Sequence, residues 1–154
     1  MRRRLVIIVS AVLSVAFVGS AILIAQSANA LSEHQARKSI ARQLVGYWIG
    51  TDPLDGGDSR RGFTRNRDGT VSMIGRDTMF SFCGNTDRGV ITLSDGIVVG
   101  STLVGDLVIT CLDDGSTVTL NARYDLVHRN VVREALTGED GFTDEIIFYR
   151  LSAR

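Results

Sequence analysis

Five Asp-Gly dipeptides, at 55–56, 68–69, 95–96, 114–115 and 140–141, punctuate this chain beyond residue 46. Asp-Gly supplies the positive backbone φ angles that tight hairpin turns need. Around these pairs lie short apolar or alternating stretches at 47–49, 71–74, 79–82, 90–93, 97–99, 107–110, 118–120, 124–127, 131–132 and 146–149. Each reads as a strand, and sequential strands joined by tight turns are neighbours in space. A parallel sheet is excluded, because each parallel connection needs a dozen or more residues. The expected fold is therefore mostly β, an antiparallel up-and-down meander. With roughly eight to ten strands its edges need protection, and sequential hairpins favour closure into a small barrel over a Greek-key sandwich.

The first thirty residues carry an address. Met1-Arg2-Arg3-Arg4 leads into an apolar run from Leu5 to Ala25, and Ala28-Asn29-Ala30 offers the small residues of a signal-peptidase site. Cleavage would leave Leu31 as the first residue. The run is also long enough to span a bilayer, so an uncleaved anchor is the alternative, and only then does the chain touch a membrane, through residues 5–25. Both readings export the rest, to a periplasmic or extracellular location, and the leader and Arg-rich composition point to a bacterial source. The expected organisation is a signal peptide over 1–30, a short amphipathic helix within 31–45 and a β-barrel domain over 46–154. In the helix, Ser32 and Gln35 form a capping box, and Ala36, Ile40 and Leu44 recur at helical spacing.

Without the three leader arginines, fourteen basic side chains face seventeen acidic ones. A mildly acidic domain with no dense basic patch is not a nucleic-acid binder. Two cysteines, Cys83 and Cys111, stand in a compartment that permits disulfides, so an intramolecular bridge is expected.

At Leu44-Val45-Gly46-Tyr47-Trp48-Ile49-Gly50 the sequence resembles the G-x-W opening of lipocalins and related calycin barrels. Ile146-Ile147-Phe148-Tyr149-Arg150-Leu151 is similar to the closing strand of such barrels. The resemblance implies a structural signature of Gly46, Trp48 and Arg150, with the guanidinium packed over the indole as a cation–π pair. Small disulfide-bearing barrels of bacterial protease inhibitors are similar in outline.

Side chains alternate in and out along a barrel strand. Val118, Leu120, Ala122 and Tyr124 share one parity, Leu107, Ile109 and Cys111 another, and Phe80 and Phe82 add aromatic bulk. The candidate ligand-facing residues are accordingly Phe80, Phe82, Leu107, Ile109, Leu120 and Tyr124. Whether they fill the interior or leave a pocket is open at this point. Catalysis has little support: there is no nucleophile elbow, both cysteines are committed, and His34 and His128 sit in different segments. Asp52, Asp55 and Asp58 crowd one loop, where a solvated turn is favoured over a cation site. Neither cofactor nor metal is expected, and no enzyme. Two functions follow: a barrel binding a small hydrophobic ligand, or a filled barrel acting on an extracytoplasmic protein, for example as an inhibitor, through loops such as 51–62.

Overall fold

The computed structural model describes residues 32–151. The expected signal segment and the cleavage point before Leu31 lie outside the described residues. Among the described residues no helix is long and apolar enough to cross a membrane. Residues 32–44 form helix α1, whose first turn, 32–35, belongs to a unit separate from the one that starts at Ala36.

Eight strands follow: β1 (Gly46–Thr51), β2 (Asp58–Arg65), β3 (Val71–Asp77), β4 (Gly89–Val99), β5 (Thr102–Cys111), β6 (Thr117–His128), β7 (Val131–Thr137) and β8 (Thr143–Arg150). Each pairs antiparallel with the next, and β1 pairs with β8, so the meander closes into a barrel with strand order 1 to 8. The closing seam is the shortest ladder, with Trp48, Ile49 and Gly50 opposite Arg150, Tyr149 and Phe148.

Four of the Asp-Gly pairs lie in the hairpin connections. In the turns at 68–69, 114–115 and 140–141 the Asp side chain accepts a hydrogen bond from the backbone N–H two residues on. Asp55 does the same for Gly57 in the longer β1–β2 loop. The fifth departs from expectation. Asp95-Gly96 falls inside β4, where the register shifts between Thr92 and Ile97, and Gly96 lies against Leu93 and Leu103 with no space for a Cβ. This bulge bends one long strand rather than ending it. The hairpin comes instead at Gly100, so the two stretches at 90–93 and 97–99 are one strand. In the same way 118–120 and 124–127 both belong to β6.

Two further corrections concern β2 and Phe80. Residues 58–62, expected as part of a presented loop, lie in β2, whose Asp-Ser-Arg-Arg-Gly-Phe-Thr-Arg sequence has too few apolar residues to show a period of two. The stretch 79–82, expected as a strand, crosses one end of the barrel as an isolated bridge at Phe80 and a short 3-10 turn, Ser81–Cys83. Phe80 is buried with its ring flat on Gly89, where a Cβ would approach to 2.8 Å, whereas Phe82 remains at the rim, 36% exposed.

The opposite end is covered by the last turns of α1, residues 40–44. Of the expected stripe Leu44 is buried and Ile40 packs beside it, while Ala36 faces solvent and Ala41 is buried in its place. Trp48 donates from Nε1 to the Leu44 carbonyl at 2.8 Å. Arg150 stacks on that indole, its Cζ 4.2 Å from the ring centroid, and donates to the carbonyls of Val45 and Gln43 at the end of the helix. Gly46 adopts φ 130° here, and a Cβ would meet the Arg150 guanidinium at 2.8 Å. The expected signature residues thus form one joint, which locks helix, first strand and last strand together.

Cys83 and Cys111 are bonded and tie the Phe80 segment to the end of β5. Replacing both by Ser should lower unfolding free energy by about 3–4 kcal/mol, from the entropy of a 28-residue closure. Denaturant titration of the variant against the oxidised protein measures it; equal midpoints would remove the bridge from the list of structural supports.

Candidate functional site

The inward parity of the strands fills the barrel. Leu107, Ile109, Leu120 and Tyr124, expected as ligand-facing, are all buried, together with Phe63, Met73, Ile91, Leu93, Leu103, Ile146 and Phe148. Tyr124 meets Phe63 edge to face, with centroids 5.0 Å apart. At the Phe80 end a small pocket of about 30 Å³, lined by Asp52, Arg61, Phe80, Phe82 and Ile109 among others, reaches into the barrel.

Two charges missed in the sequence occupy the middle of this interior. Arg61, on β2, is 2% exposed, and Glu134, on β7, is fully buried. The guanidinium donates from Nε and Nη2 to the two carboxylate oxygens, both at 2.9 Å, and from Nη1 to Asp77 at 2.6 Å. Its Cζ lies 5.0 Å from the Phe148 ring centroid. Gly75, opposite Arg61 in the β2–β3 register, makes room: a Cβ there would come within 3.0 Å of Arg61 Cδ. Burial alone would lower the pKa of Arg61, but the charges of Glu134 and Asp77 hold it well above the ordinary guanidinium value. Tyr124, raised well above the ordinary phenol range by burial and then by the Glu134 charge, abuts the same pair. The available signal was parity: Arg61 shares a face with Ser59 and Phe63, and Glu134 with Val132 and Leu136.

At the Phe80 end, Asp52 and Asp144 line the small pocket beside Arg61 and Asp77. Burial, with the Asp52 charge next, raises the Asp144 pKa to about 6, and one of its oxygens is buried without a partner. Asp52 accepts the backbone N–H of Leu54, and burial raises its pKa as well. Among the described residues no group of three or more metal-ligating side chains converges, and Asp58 stands at the start of β2.

The outside of the wall divides into two kinds of surface. Over β5–β7, Asp125 accepts from Thr102, Arg123 and Arg133 at 2.6–3.1 Å. Partial burial would raise this carboxyl, but those hydrogen bonds hold it at about 2. Over β1–β3 the surface is apolar and concave. Tyr47, Gly62 and Ile74 lie side by side in the register, the tyrosine ring resting on the glycine. Tyr47 and Ile74 are 72% and 65% exposed, and with Val45 and Leu151 they border a groove of about 680 Å³. Arg60 and Arg76 stand opposite each other at its upper end. On the other side of β1 a second hollow, of about 510 Å³, is lined by Ile49, Pro53, Ile147 and Tyr149.

These features define a closed eight-stranded antiparallel barrel with a packed, ion-paired interior and a grooved outer face. No protein-family model and no curated protein matches the chain. Among solved structures it is similar to one described as a redesigned beta barrel, with TM-score 0.52 and 17% identity over 73% of this chain and 95% of that one. That likeness concerns the fold alone.

The buried pair generates one prediction. Glu134→Ala, which strands the Arg61 charge, should cost about 3–5 kcal/mol in denaturant unfolding, whereas Arg61→Met with Glu134→Leu should recover most of that loss. A double variant as unstable as the single would refute it.

Asp144 generates another. Its folded pKa lies above the unfolded value, so between about pH 6 and 4 the folded state holds a proton that the unfolded state lacks, and stability rises as pH falls through that window. The melting temperature should therefore increase from pH 7 to pH 5, and Asp144→Asn should be more stable at pH 7 and flatten this slope. An unchanged slope in the variant would assign the effect elsewhere.

Proposed function

We propose that this protein is an exported, calycin-like, non-catalytic binding module that works through the outer wall of its barrel rather than by carrying cargo inside it. The reading is carried by one contrast: the inward side chains are packed against one another and the pocket at the Phe80 end holds about 30 Å³, while the outer face over β1–β3 holds a groove of about 680 Å³. A groove of that size lies in the range of small-molecule sites, roughly 300–1,000 Å³. A small hydrophobic ligand inside the barrel would have to displace Phe80 or break the Arg61–Glu134 pair. The joint of Gly46, Trp48 and Arg150 supports the calycin affinity, and the Cys83–Cys111 bridge fits an oxidising compartment.

The test is the mass of the protein recovered from the producing cell, recorded native and then denatured without reductant. The denatured mass should equal residues 31–154 less two hydrogens, and the native mass should equal the denatured one. A retained leader would overturn the cleaved form of export, and a native excess that survives exhaustive dialysis and persists in Ile74→Ser, on the outer face, would return the interior to the role of carrier.

A further inference from the structure

We propose that the outer groove binds a single-chain anionic amphiphile, its acidic head between Arg60 and Arg76 and its chain along Val45, Tyr47, Ile74 and Leu151. The proposal rests on the outer-wall reading above and names the chemistry of the occupant.

The charge arrangement carries the argument. Arg60 and Arg76 are directly opposed across β2 and β3, and neither has a carboxylate within ion-pair distance among the described residues. Like charges so placed repel, and an anion seated between them relieves that repulsion through the fork of donors that guanidinium offers phosphate or carboxylate. Elsewhere on the wall the arrangement is the opposite: Arg123 and Arg133 share Asp125. On the side away from the groove, Arg60 and Arg76 border a separate hollow with Asp58, Asp77 and Asp87. Carboxylates there repel an anion displaced in that direction, which confines the head to the groove side.

The rest of the groove is apolar. Tyr47 lies over Gly62, so this stretch of β2 adds no side chain that would fill the channel, and Ile74 forms the far wall. A partner protein segment is the other class of occupant. The stretch of β8 that the seam leaves unpaired toward β1, residues 143–147, does not line the groove, so recognition there falls to the two arginines and the apolar channel, which together match an acidic head on one flexible chain.

The experiment is calorimetric titration of the disulfide-bonded protein with dodecyl phosphate below its micelle concentration, with amide chemical shifts recorded alongside. Dodecyl phosphate should bind one to one and shift Tyr47, Gly62 and Ile74. Inorganic phosphate alone, and dodecyltrimethylammonium, should each bind at least tenfold more weakly. Arg60→Gln with Arg76→Gln should weaken dodecyl phosphate at least tenfold while leaving the circular dichroism and melting temperature in place, and Ile74→Ser should weaken it with the arginines intact. Equal affinity in the double arginine variant, or equal affinity for the cationic detergent, overturns the anionic head. Shifts confined to Leu107, Leu120 and their interior neighbours overturn both this proposal and the outer-wall reading. Failure of dodecyl phosphate to bind overturns the amphiphile alone and leaves the outer wall to a protein segment.

Discussion

The salt bridge between Arg61 and Glu134 is the interaction on which the interior is organised. It joins β2 to β7 across the closing seam, and both hydrogen bonds of the fork are made where water is excluded. Removing two charges from water costs several kcal/mol per ion, which only near-ideal geometry offsets. The surroundings provide that geometry: Asp77 takes a third donor, Phe148 lies within cation–π range and Gly75 leaves space. A side chain of this length running through the barrel also consumes the volume that a ligand would need. Packing and charge satisfaction are thus a single arrangement.

The parts legible in the sequence are those in which one residue type reports one geometry. Asp-Gly marked four of the connections, and the alternation in β6 located Leu120, Ala122 and Tyr124 in the core. Trp48 and Arg150, far apart in the chain, stack on each other. Legibility failed where polarity and position were uncoupled. β2 buries Ser59, Arg61 and Phe63, so two of its three inward residues are polar and no apolar period survives. The Phe80 stretch failed for the converse reason: alternating aromatics suggested a strand, but the disulfide and the Gly89 contact fold it across the barrel end.

The groove was invisible for a different reason. Its lining draws on Tyr47, Gly62 and Ile74, one residue from each of three strands, and only the register places them in a row. Read along the chain, each is an ordinary outward position. The same holds for Arg60 and Arg76, whose opposition depends on where the β2–β3 hairpin turns. A one-residue slip would exchange inward and outward positions throughout β2, and the bidentate pair with Glu134 resists such a slip. The buried ion pair and the outer arginines are therefore linked, since Arg61 fixes the direction in which Arg60 points.

Seven of the eight ladders join strands that follow one another in the chain, whereas the seam joins residue 48 to residue 150. Hairpins of the first kind form with little loss of loop entropy, while the seam must gather nearly the whole domain before it gains a contact. It makes only three paired positions when it does. The aromatic–guanidinium joint at Trp48 and Arg150 lies on this ladder, and its attraction acts through a side-chain stack that needs less exact alignment than backbone hydrogen bonds. The joint is thus a clasp on the shortest ladder: where the backbone contributes three paired positions, the indole stack and the Arg150 donations to Val45 and Gln43 fasten the two ends of the domain to each other.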